Sequence, residues 1–179
     1  MNEQALFGSV EEALTFAFHY SAEQSPRTPM TALAQGGAIG SGKGLYGVDG
    51  AAQAAMILNK LDALPKEQRW ALTVRFGDVE HECPCCGHPA KSHEWKDAVD
   101  GLSWCVELEG IPKQMRHAMI AKVLCRQKVD LAGMSERYGL ARSTTYRQQN
   151  ELKHRLNTHE RQGLDAIRDM LFELLPKAA

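Results

Sequence analysis

The stretch Leu131-Ala-Gly-Met-Ser-Glu-Arg-Tyr-Gly139-Leu-Ala-Arg142-Ser-Thr-Thr-Tyr-Arg-Gln-Gln-Asn150 decides how this chain reads. A short helix-forming segment runs to Tyr138, a glycine follows, and a second helix begins near Arg142. This is the pattern of a helix-turn-helix. Met134 and Tyr138 are placed to pack inward from the first helix. Ser135 is small where the two helices cross, and Leu140 plugs the core below the turn. Gly139 suits the turn because a left-handed backbone costs little without a Cβ.

The second helix opens with Arg142, Ser143, Thr144, Tyr146, Arg147 and Gln148, and Lys153 follows. Arginine suits guanine, glutamine suits adenine, and hydroxyls suit phosphate oxygens. These residues are therefore expected to contact double-stranded DNA, with Thr145 and Gln149 turned to the inner or flanking side. Charge is distributed to match. Residues 112–160 hold ten Lys/Arg against four Asp/Glu, a net +6, while the rest holds 11 against 18, a net −7. A basic third on an acidic body is the electrostatic footprint of a nucleic-acid-binding element. Downstream, 157–175 carries Leu164, Ile167, Leu171, Leu174 and Leu175, expected to pack on the core or, as the alternative, on a partner helix.

Upstream lies His81-Glu-Cys83-Pro-Cys85-Cys86-Gly87-His88-Pro-Ala-Lys-Ser-His93. Cys83-Pro-x-Cys86-Gly matches the knuckle of zinc ribbons. Two residues between thiolates let a tight turn present both sulfurs to one ion, and the glycine lets backbone amides approach them. Cys85 occupies the middle of the knuckle and is expected to point away. His88 and His93 are the nearest donors to complete a structural Zn2+ site, with His81 and Cys85 as substitutes. Cys105, His117 and Cys125 lie on apolar helical stretches and read as small buried groups or surface histidines. A zinc deaminase spacing is missing, and no Ser/His/Asp, Cys/His or paired-carboxylate arrangement stands out, so no enzyme is expected.

The remaining chain reads as helix around two interruptions. Residues 3–24 are amphipathic, with Ser9 and Glu12 forming a capping box. Residues 25–50 carry Ser25-Pro26, Thr28-Pro29 and seven glycines from 36 to 50, which read as a flexible loop or arm. Gly37-x4-Gly42-Lys43 nearly spells a phosphate-binding loop, but Gly44 stands where the magnesium-binding hydroxyl belongs. Helices follow at 49–62, capped by Asp49; at about 65–76, with Pro65 in its first turn and Gly77 as its stop; and at 94–109. From Gln114 the chain reads helical almost to its end, punctuated by Gly133 and Gly139.

With 44% hydrophobic residues the chain is globular rather than disordered. Its apolar runs fall far short of a membrane span. The acids in MNEQALFGSVEE stand where a signal peptide carries bases. A bacterial cytoplasmic location without membrane contact is the expectation.

Two stretches resemble region 4 of bacterial sigma factors. One is Leu61-Asp-Ala-Leu64-Pro65-Lys-Glu-Gln-Arg69-Trp-Ala-Leu72-Thr-Val-Arg75-Phe76-Gly77; the other is the helix-turn-helix ending Ser143-Thr144-Thr145-Tyr146-Arg147. A zinc insertion ahead of such a helix-turn-helix, in a small protein with a flexible N-terminal arm, resembles the antitermination protein Q family of lambda-like bacteriophages. That family's zinc site uses two Cys-x-x-Cys pairs, where this chain has one pair plus histidines. The resemblance implies a late-gene regulator that binds DNA at a phage late promoter, joins paused bacterial RNA polymerase with its sigma factor, and lets it read through terminators. A conventional phage or prophage repressor or activator, and a packaging or recombination adaptor, are the rival readings.

The expected fold is therefore mainly α: a helical bundle with a helix-turn-helix and an inserted small zinc-binding segment. The expected division is 1–48 as an N-terminal helix and glycine-rich arm, 49–78 with 112–175 as the sigma-like domain, and 79–111 as the zinc-binding insertion.

Overall fold

The computed structural model describes residues 5–23, 47–83, 85–106 and 108–175. The expectations placed on 25–46, the proline breaks and most of the glycine-rich arm, lie outside these residues. Seven helices and one two-stranded sheet make up the described chain: α1 (Val10–Glu23), α2 (Gly47–Asp62), α3 (Lys66–Phe76), β1 (Glu80–Glu82), β2 (Pro89–Lys91), α4 (His93–Cys105), α5 (Lys113–Leu124), α6 (Leu131–Arg137) and α7 (Arg142–Met170). The fold is mainly helical, as the periodicities predict.

The helix boundaries follow local chemistry. α1 starts at Val10 rather than near residue 3, because Ser9 caps it. The Ser9 hydroxyl accepts from Glu12 N at 3.2 Å, and the Glu12 carboxylate accepts from Gly8 N at 2.6 Å. That is a capping box displaced by one residue on its return arm. α2 begins two residues before Asp49, which sits in its first turn, where a carboxylate favours the helix dipole. Gly77 does end α3, but with φ −73° and ψ 157° it is extended rather than left-handed. α4 is capped by Ser92, whose hydroxyl accepts from Trp95 N, and ends at Cys105 rather than 109.

The long helical reading from Gln114 is broken at a place no glycine marks. α5 stops at Leu124, Arg126 takes φ 55°, and Asp130 caps α6 by accepting from Gly133 N at 2.9 Å. Gly133 lies inside α6 and does not interrupt it. Gly139 takes φ +64° between α6 and α7, the turn its position predicts.

The chain forms two compact units. Among the described residues the first comprises 5–23, 47–64 and 164–175. Within it Phe7, Leu14, Phe18, Ile57, Leu61, Ile167 and Leu171 are buried. α1 and α2 approach closely at Gly50, where a Cβ would stand 2.6 Å from the Tyr20 ring. Phe7 N donates to Leu174 O at 3.1 Å, so the two ends of the described chain meet here.

The second unit, 65–163, holds one apolar core drawn from α3, α4, α5, α6 and the first part of α7, with Val74, Trp95, Leu102, Met119, Leu152 and Leu156 among its members. Gly101 lets α4 sit on Trp70; a Cβ there would fall 2.7 Å from the indole. Arg75 spans three helices. It donates to Leu124 O at 3.0 Å, covering a carbonyl that α5 leaves unpaired at its end, and it pairs with Glu160 of α7 at 3.3 Å.

These boundaries differ from the expected 1–48, 49–78 with 112–175, and 79–111. Residues 49–62 pack with α1, and 164–175 join them. Residues 93–106 belong to the same core as α5, because Trp95, Val99, Leu102 and Val106 are buried in it.

Candidate metal centre and basic helix face

The cysteine segment is the tip of a β-hairpin. β1 and β2 pair antiparallel with Glu80 opposite Lys91, His81 opposite Ala90 and Glu82 opposite Pro89. Cys83 N donates to His88 O at 2.9 Å and Gly87 N to Cys83 O at 2.8 Å, closing the loop. Gly87 has φ +69°, the left-handed step that this turn requires.

The turn gathers three thiols. The Sγ atoms of Cys83, Cys85 and Cys86 lie within 4.8 Å of one another, a group able to hold a metal ion. Cys85, expected to point away, instead has its Sγ 2.8 Å from that of Cys83. The reason is local: the Cys83 N–His88 O and Gly87 N–Cys83 O bonds fold the chain back on itself over these residues. His88 and His93 are exposed and stand outside this group, as does His81. The Cys83 thiol is held down to about 7, chiefly by the Cys85 thiol donating to it, then by the Cys85 amide and by Cys86, while Cys85, as the donor, is pushed up. Four ligands at about 2.3 Å from a tetrahedral ion stand about 3.8 Å apart, so metal entry would spread the close pair. Soft sulfur donors of this kind suit zinc.

The other cysteines do not join the group. Cys125, half-buried, donates to Val74 O at 3.1 Å, and burial pushes its pKa up. Cys105 is exposed and 3.9 Å from a Glu67 oxygen. His117 faces Asp100 at 3.0 Å, and Lys113 reaches the same oxygen at 2.6 Å. Burial lowers the His117 pKa, and the Lys113 hydrogen bond lowers that of Asp100. Asp100 and His117 border a cavity of about 350 Å3 together with Lys91, Lys96 and Trp95. No spacing in the sequence signals that cluster, which draws on three separate elements.

α6 and α7 are joined by a short turn and locked from inside. The buried Ser135 hydroxyl donates to Leu131 O at 2.6 Å and hydrogen-bonds the buried Thr145 hydroxyl at 2.9 Å. Leu140 N donates to Ser135 O at 2.8 Å. Thr145 and Gln149 point inward, with exposures of 0% and 7%, as their positions predict. The proposed contact residues take the remaining faces. Ser143, Tyr146, Arg147 and Lys153 are exposed, Thr144 and Gln148 are half-exposed, and Arg142 is exposed in a salt bridge with Glu136 of α6. At about 100° per residue, Ser143 and Arg147 face away from Thr145, Arg142, Tyr146 and Lys153 lie to one side, and Thr144 and Gln148 to the other.

No helix among the described residues is long and apolar enough to cross a membrane. Compared with known protein families the chain matches no family model, and compared with curated proteins it gives no match.

Proposed function

We propose that this protein is a sequence-specific regulator of transcription rather than an enzyme. It binds double-stranded DNA through a helix-turn-helix formed by α6 and α7, and acts on bacterial RNA polymerase in the cytoplasm as a phage-type late-gene antiterminator. The observation that carries the reading is the α6–α7 pair itself. Its inner face is closed by Ser135, Thr145 and Gln149, while Ser143, Arg147, Tyr146 and Lys153 stand exposed on a segment of net +6. Such a face presents bidentate donors to base edges and cations to phosphates.

In this reading the hairpin holds a structural zinc through Cys83 and Cys86, with His88 and His93 completing the four donors, or Cys85 in place of one of them. A bound zinc would tie the Cys83 and Cys86 thiolates together and so fix the loop. It takes no part in reading DNA. Polymerase and sigma-factor contact, and antitermination itself, rest on the resemblance to the antitermination protein Q family.

Arg147→Ala is expected to weaken DNA binding by about 1–3 kcal/mol if the side chain meets a base, and to change preference at one base position. Fluorescence anisotropy at several salt concentrations measures this, and unchanged affinity throughout would remove Arg147 from the interface. The decisive experiment is transcription in vitro past a strong terminator, from a phage late promoter, with and without the protein. Readthrough that needs both the promoter-proximal DNA and an intact α7 supports antitermination. Altered initiation without readthrough would make the protein an ordinary promoter regulator.

A further inference from the structure

We infer that Glu136 is a specificity-determining residue: its carboxylate orients the Arg142 guanidinium for base recognition and repels DNA that does not match. The inference rests on the reading of α7 as the DNA-contacting helix. Glu136 lies near the end of α6 and Arg142 opens α7, so their salt bridge crosses the turn. The backbone beneath the pair is fixed. Ser135 immediately precedes Glu136 and is bonded to Thr145, which lies one turn after Arg142; Gly139 and the Leu140 N to Ser135 O bond set the reversal between them. Arg142 sits about 60° around the helix from the inward-facing Thr145, on the flank of α7 between its buried and outward faces.

The consequence is chemical. An arginine alone on a helix surface samples many rotamers and meets phosphates as readily as bases. A guanidinium held by a carboxylate has part of its donor fork satisfied, and the free edge keeps one orientation. That lowers the ordering cost of a bidentate contact to guanine. The same carboxylate brings a negative charge to the DNA side of the protein. Arg142 offsets it when the correct base is engaged, and it opposes sliding onto phosphates elsewhere. Attraction to the right site and repulsion from wrong ones then come from one ion pair. The pair is exposed on both sides, 63% and 65%, so its worth to folding is small and its removal leaves the fold intact.

The test uses a duplex selected by the wild-type protein from a randomised library, and a scrambled duplex of the same composition. Glu136→Gln is expected to bind the scrambled duplex at least as tightly as wild type. It should lower the ratio of selected to scrambled affinity about five-fold or more, with an unchanged melting temperature. In an Arg142→Ala background the same change should leave that ratio unaltered, because the carboxylate then has nothing to orient. A ratio within two-fold of wild type for Glu136→Gln, or an equal fall in the Arg142→Ala background, overturns the inference while leaving the DNA reading standing. Failure of the wild-type protein to select any sequence overturns both.

Discussion

Trp95→Ala is expected to destabilise the second unit by about 3–5 kcal/mol, the cost of removing a large aromatic side chain from a packed core. Trp95 is only 6% exposed, and three kinds of interaction converge on it. Its indole N–H donates to Val74 O at 3.3 Å, tying α4 to α3. Its backbone N–H is the one that the Ser92 cap satisfies. Lys91, the last residue of β2, stands 5.5 Å from its ring centroid, a cation–π contact that links hairpin to helix. Trp95→Phe separates the contributions. It keeps most of the buried area and loses the hydrogen bond, so about 1–2 kcal/mol is expected. Denaturant unfolding of both variants measures the difference. Equal, small losses would show that the site collapses around the missing ring and that Trp95 is no keystone.

Metal removal is expected to have the larger local effect. The hairpin has two strands of three residues, most of its side chains are exposed, and a ribbon of that size has no core of its own. Zinc bound to small domains contributes on the order of 10 kcal/mol, which becomes folding energy where the apo segment is disordered. Cys83→Ser or Cys86→Ser should therefore lower metal content from about one ion per chain and abolish slow amide exchange across 80–91. Amides of α3, α4 and α5 should stay protected, because their core does not use the thiols. Cys85→Ser discriminates between ligand sets. It should also lose metal if the three-thiol group is the site, and keep it if histidines complete the Cys83/Cys86 pair. Full occupancy in all three variants would sink the site.

Much of the helical plan could be read from single residues. Ser9 with Glu12, Gly139 and the inward pair Thr145 and Gln149 each act through chemistry confined to a few neighbours, which a sequence displays. What it hid depends on partners distant in the chain. Nothing near Arg126 announces a left-handed backbone. Gly133 looks like a break but is held in helix by the Asp130 cap. The grouping of 49–64 with 164–175 follows from which apolar faces meet, and the periodicity of each helix says only that it has such a face. The cysteine group shows the same limit at short range. The spacing identified Cys83 and Cys86, but the side to which Cys85 turns is set by the hairpin register, which no residue type encodes.

The placement of Arg75 and Phe7 has a consequence for how the chain comes off the ribosome. Arg75 finds Glu160 only after 85 further residues, and Leu152, Leu156 and Gly163, which packs against Leu72, arrive equally late. Phe7 waits still longer for Leu174. Domains that draw on contiguous sequence can close as they emerge, N-terminal first. Here both units await the same closing helix, so during most of synthesis neither is finished and apolar faces of α1, α2 and α3 stay uncovered. A nascent chain of this design keeps that apolar surface exposed to aggregation until α7 has emerged. A stop codon anywhere before about residue 150 yields two incomplete cores rather than one intact half.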